Sequence, residues 1–260
     1  MTVTDTHSSF QGFPPVRRLE LDRPWAWLAA GWADIKRAPG VSLTYGAIFT
    51  AISFAITAGV FFAGMEYLLF PLAAGFMLVG PMMAVGLYET SRRLETGQPV
   101  SLGSALFVAT RSPMRLAFVG VTLMALLLIW MRAATLLLAL FLGPAEFPPL
   151  ADIVPTLLFT PEGLALLIVG TGAGAILAAA VFAISVISVP LLMDRDLDFA
   201  TAVFTSLQAV ARNPKPMLLW AWLVAMLTAI GLVTLYFGLI LTFPLVGHAT
   251  WHAYRETVGS

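Results

Sequence analysis

The chain has 260 residues, 59% hydrophobic and 11% charged, with zero formal net charge and no cysteine. A soluble domain carries about 25% charged residues. This composition, with a mean hydropathy of +0.90, therefore excludes a water-covered globule and points to a chain solvated by lipid. The charge balance excludes an overall basic nucleic-acid binder, and the missing cysteines exclude disulfides, thiolate metal sites and cysteine nucleophiles.

Residues 1–22 are polar, contain Pro14 and Pro15 and lack the apolar core of a signal peptide. They are expected to form a mobile cytoplasmic tail, leaving 23–260 as one membrane domain. Trp25, Leu28, Trp32 and Ile35 recur at helical spacing and predict a short amphipathic helix before the first apolar stretch. Spans are expected at about 41–64, 67–90, 114–142 and 163–193, each long enough to cross a bilayer. Met217 to Arg255 is 39 residues, about 58 Å as a helix. That is too long for one crossing and enough for two, over 217–237 and 239–255. A turn at Tyr236–Gly238 would use the freedom of Gly238. The expected fold is thus an all-α, polytopic bundle of six spans, with five as the alternative.

The basic residues separate by side. Thirteen of the 14 fall before the first span, between spans two and three, between four and five, or after span six. The opposite connections, near Met65–Glu66 and over 143–161, hold none. The asymmetry predicts both termini in the cytoplasm.

A threefold repeat underlies the pattern. Arg37-Ala-Pro39, Arg111-Ser-Pro113 and Arg212-Asn-Pro214 each precede an apolar pair of spans. The second span of each pair then carries Pro81, Pro190 or Pro244, expected to kink it. Pro81 to Arg92 and Pro244 to Arg255 share a spacing of 11. Ser101 and Asp198 are candidate N-caps for the second and third interfacial helices. In the third, Phe199, Ala202, Val203, Ser206, Leu207 and Val210 form the expected apolar face.

The start Trp32-x-Asp-Ile35, the run from Phe70 through Pro81 and the segment Gly86-Leu-Tyr-Glu-x-Ser-Arg-Arg93 resemble a family of uncharacterised bacterial six-span inner-membrane proteins. The resemblance implies the membrane fold and an inner-membrane location. It brings no activity, substrate or active site.

Few residues are candidates for chemistry. Arg132 is the one basic residue away from the cation-rich side; a charge at mid-bilayer costs about 2.5–3.5 kcal/mol on insertion scales. It reads as an anion or lipid contact, or as an ion pair with Glu66, Glu146 or Glu162. His248 and His252 are four apart, so they share a helical face and suit one metal if a third ligand such as Glu89 joins them. Axial haem ligation fits less well, because both ligands sit on one face. Gly170, Gly172, Gly174 and Ala178 have the small-residue spacing of close helix packing, not of a dinucleotide loop. The carboxylates of Asp194, Asp196 and Asp198 read as a capping loop before a divalent-ion site. No Walker loop or His-Glu-x-x-His motif occurs. The expected role is a non-catalytic accessory, assembly or scaffold protein, without cofactor, whose partners are the bilayer and other membrane proteins. The alternatives are a small transporter or lipid handler using Arg132 and the kinked spans, and a metal or haem protein using His248 and His252.

Overall fold

The computed structural model describes residues 14–108, 113–143 and 150–259. Among them the chain forms twelve α-helices and no strand. They are α1 (Arg23–Arg37), α2 (Pro39–Phe62), α3 (Leu69–Met83), α4 (Val85–Glu95), α5 (Leu102–Leu106) and α6 (Pro113–Leu142). Then come α7 (Leu150–Phe159), α8 (Pro161–Ser185), α9 (Ser188–Asp194), α10 (Phe199–Arg212), α11 (Pro214–Val233) and α12 (Leu239–Val258). Five helical stretches are long and apolar enough to cross a membrane: Pro39–Phe62, Glu66–Glu95, Pro113–Leu142, Pro161–Asp194 and Pro214–Val233. The helix α12 is not among the five; it has 20 residues but carries His248, His252, Arg255 and Glu256.

The repeat prolines act by starting helices. Pro39, Pro113 and Pro214 are each the first residue of a long apolar helix, where a missing N–H costs nothing and φ is already helical. Proline also bars the preceding residue from helical geometry. Ala38 (φ −132°, ψ 56°) and Asn213 (φ −128°, ψ 53°) accordingly make nearly the same break. Arg37 and Arg212 end α1 and α10, while Arg111 lies outside the described residues. Asp198 caps α10 by accepting the Thr201 N–H at 2.9 Å, and bonds from Thr201 hold its carboxyl below the usual range. Ser101 caps α5 in a reciprocal box with Ser104.

The short helices α1, α5 and α10 each pack on another repeat unit. The helix α1 packs on α12, α5 on α4, and α10 on α8 and α9. The three inner helices α4, α9 and α12 touch one another at the centre. Contact between the first helix and the last closes this arrangement into a ring.

Helical breaks fall at Ala84, three residues after Pro81, and at Val186–Ile187, just before Pro190; α12 runs through Pro244 without interruption. Each break frees backbone groups, and a neighbouring helix satisfies them. Tyr45 of α2 donates to the Met83 carbonyl at 2.8 Å. Ser206 of α10 accepts from the Ile187 N–H at 3.2 Å and donates to the Ala183 carbonyl at 2.7 Å.

The structure corrects or adds to four readings. Residues 14–22 are not a free tail: Val16 is buried, the Arg17 N–H donates to the Thr257 carbonyl at 2.8 Å and the Leu19 N–H to Asn213 at 2.8 Å. The expected helix α1 is present; its buried residues include Trp27, Gly31, Asp34 and Ile35, and Trp25 and Trp32 are exposed, where lipid can solvate them. The connection over 143–161 contains the helix α7. The turn between α11 and α12 occupies Thr234–Gly238, with left-handed Leu235 (φ 52°) and Tyr236 (φ 66°). Gly238 itself is helical at φ −61°. It serves there by absence of bulk, since a Cβ would lie 2.4 Å from Thr234 Oγ1.

Candidate functional site

The densest polar cluster sits where α1, α2, α4 and α12 converge. Glycines set these approaches. A Cβ on Gly31 would lie 2.8 Å from the Ala249 nitrogen, and one on Gly46 2.4 Å from the Ile240 carbonyl oxygen. On Gly247 it would meet Leu87 Cδ1 at 2.5 Å. Seating α1, α2 and α4 so closely on α12 brings Asp34, Ser42 and Ser91, each about one turn from such a contact, to His248 and His252. The glycines are therefore part of the site, although they carry no chemistry.

Proton count fixes the order of bonds. Ser91 Oγ donates its only proton to Asp34 Oδ2 at 2.7 Å. His248 Nδ1, 2.7 Å from Ser91 Oγ, must therefore donate to Ser91. A neutral imidazole then leaves Nε2 as acceptor, and Ser42 Oγ donates to it at 2.9 Å. His252 Nε2 donates to the same Asp34 oxygen at 2.8 Å. Asp34, Ser42, Ser91 and His248 are all buried, while His252 is partly exposed. Burial pushes the Asp34 carboxyl up; bonds from His252 and Ser91 and the nearby imidazoles outweigh it and hold the carboxyl below its usual range.

Residues 69–194 match the model of a family described as predicted integral membrane protein (DUF2189). The match covers the middle of the chain, just under half of its length. No curated protein and no solved structure matches the chain. The matched segment spans α3 to α9 and contributes Ser91 to the cluster, whereas Asp34, Ser42, His248 and His252 come from the flanks.

The cluster is chemically closed. A serine nucleophile activated by histidine needs an open face where a substrate can reach it, but Ser42 and His248 are wholly buried and neither lines the cavity described below. A metal would need free imidazole nitrogens, yet both of His248 are taken by serines and Nε2 of His252 by Asp34. Among the described residues no group of three or more His, Asp or Glu side chains is placed to hold a metal. Glu89 does not join the histidines; it accepts from Arg92 at 2.8 Å and from Arg93 at 2.6 Å. Asp34 occupies the place expected for it. A second set of charges ties the centre of the ring. Arg255 pairs with Glu95 at 3.0 Å and with Asp194 at 3.5 Å, and Tyr254 donates to Asp194 at 2.7 Å.

The other candidates are dispersed. Arg132, in the matched segment, is exposed on α6, and its side chain has no partner among the described residues. Glu66 opens a 3-10 turn at Glu66–Leu68, Glu162 lies in the first turn of α8, and Glu146 is outside the described residues. Asp34, Ser42 and Ser91 had no assigned role in the sequence. The available signal was the row Trp27, Gly31, Asp34 on α1, a polar residue following an aromatic and a small residue on one face.

An apolar cavity of about 780 Å³ lies between α8 and α11 against α3 and α12. Its walls include Gly170, Gly174 and Ala178 on one side and Ala221, Ala225 and Thr228 on the other.

Proposed function

We propose that this chain is a six-span, non-catalytic accessory or scaffold protein of a bacterial inner membrane, with both termini on its cation-rich cytoplasmic face. The observation that carries the reading is the self-contained Asp34–Ser91–His248–Ser42 chain: its polar atoms are spent on one another, as in a fastening. In this reading α12 is the sixth span, its polar side chains shielded by α1, α2 and α4. Exposed Trp25 and Trp32 on α1, Phe107 after α5, and Phe204 and Leu207 on α10 suit interfacial helices beside anionic headgroups or partner helices. Counted along α6 from Pro113, Arg132 stands about 28 Å away. With Pro113 at the inner boundary of a hydrocarbon layer about 30 Å thick, it reaches the outer headgroups.

Affinity purification of the full chain in mild detergent is expected to recover the same membrane proteins repeatedly and in constant ratio; repeated recovery of this chain alone overturns the scaffold reading. For topology, single cysteines at Gln98 and Asp196 in the naturally cysteine-free chain are expected to resist an impermeant maleimide in intact cells. One at Met65 should react, and a C-terminal fluorescent-protein fusion should mature. An exposed C-terminus would restore five spans. A lipid-handling role is the second reading, favoured by the apolar cavity, which Arg132 does not line.

A further inference from the structure

The cavity between α8 and α11 has the makings of a ligand site. Small residues at spacing four, such as Gly170, Gly174 and Ala178, ordinarily let a second helix approach closely. Here α8 and α11 make no substantial contact across them; α8 packs on α6 and α3, and α11 on α12. The volume, about 780 Å³, falls within the range of about 300–1,000 Å³ typical of small-molecule sites.

Unpaired donors break the apolar lining at Tyr88 and at Trp220, whose buried indole N–H has no partner among the described residues. Tyr88, just after the Ala84 break, lines the cavity and is 2% exposed, yet its hydroxyl has no hydrogen-bond partner among the described residues. Ser185 and Thr250, which also line the cavity, differ in being satisfied: each donates to a carbonyl of its own helix, Val181 and Val246, at 2.7 Å. A buried donor left unpaired costs about 1–3 kcal/mol, so the Tyr88 phenol, like the Trp220 indole N–H, is a donor waiting for an acceptor in a mostly apolar chamber. We propose that this cleft binds one membrane amphiphile, its hydrocarbon chain lying between α8 and α11 and a carbonyl oxygen accepting from Tyr88. A free fatty acid and an acyl ester of a phospholipid share this chemistry.

Trp130 and Trp220 line the same cavity, so a brominated acyl chain seated there quenches tryptophan fluorescence. The full chain in detergent is titrated with brominated palmitate and, separately, with a phosphatidylcholine brominated in one acyl chain. Saturable quenching at one probe per chain is expected with at least one of them, and the one that saturates identifies the source. Ala225→Phe, which fills the cleft, should abolish saturation. Ala178→Phe does the same from the opposite wall, should either plug misfold by circular dichroism. Tyr88→Phe keeps the shape and loses the donor, and should weaken binding about fivefold, the loss of one ordinary hydrogen bond. Saturation unchanged by a folded plug overturns the site. An unchanged affinity in Tyr88→Phe overturns the assignment of its polar end. Absence of saturation with both probes, including a case where native mass shows a dimer that Ala225→Phe splits, overturns the amphiphile as occupant.

Discussion

Asp34→Ala is expected to cost the fold about 2–4 kcal/mol, the largest loss from any one side chain in the polar cluster. Two donors lose their acceptor. Ser91 is buried and has no water to turn to, so its stranded hydroxyl carries the full desolvation penalty of about 1–3 kcal/mol. His252 is partly exposed and recovers part of its loss from water. The disturbance also spreads, because Ser91 holds His248 and His248 holds Ser42; such chains cost more to break than their members taken singly. Asp34→Asn keeps one acceptor oxygen for the two donors and is expected to lose about half as much. The measurement is equilibrium unfolding of the purified chain in mixed micelles with rising SDS fraction. Unfolding of Asp34→Ala at the wild-type SDS fraction would remove the fastening role.

The same pair predicts a pH dependence. The folded Asp34 carboxyl titrates below its ordinary value, so its contribution is complete above the unfolded carboxyl value of about 4. It drains as pH falls through the lower folded value. The stability gap between wild type and Asp34→Ala should therefore stay level from neutral pH to about pH 4 as far as this carboxyl is concerned, and narrow below that.

Gly46→Ala is expected to be the most damaging single-methyl change among the glycines of α2. A Cβ there would stand 2.4 Å from the Ile240 carbonyl oxygen and 2.9 Å from the carbonyl carbon and Cα. These are backbone atoms, so no rotamer change relieves the clash and α2 must move off α12. Overpacking of this kind costs about 1–3 kcal/mol, occasionally more, and here the upper end applies. The displacement also pulls Ser42, one turn earlier, away from His248. Gly59 supplies the control on the same helix, since a Cβ there meets nothing within 4 Å; Gly59→Ala should leave the unfolding midpoint nearly unchanged. Equal midpoints for Gly46→Ala and Gly59→Ala would refute close seating of α2 on α12.

Much of the architecture was legible from one sequence because it rests on local physics. The apolar stretches that make α2, α3, α6, α8 and α11 solve their backbone hydrogen bonding internally and need no partner to be recognised. Pro39, Pro113 and Pro214 announce helix starts by steric effects reaching only one residue back. The capping roles of Asp198 and Ser101 follow from a side chain and an N–H three residues later. His248 and His252 could be placed on one face by helical period alone.

Their partners could not. Asp34 replaces Glu89 beside the histidines, yet Glu89 is the carboxylate in register with His252 by the repeat spacing; Arg92 and Arg93, on its own helix, claim it first. The buried face of α1 had no signal of its own, because a stripe of Trp25, Leu28 and Trp32 marks an apolar face without saying whether protein or lipid covers it. Ser42 meets His248 from 206 positions away, and Asp34 meets His252 from 218, distances over which no periodicity carries information. By itself the sequence determined that this is a helical membrane protein and where most of its apolar helices begin. Only the tertiary structure decided which helices lie against which. That choice depends on glycines such as Gly31, Gly46 and Gly247, whose worth is the absence of an atom and becomes visible only when another backbone occupies the space.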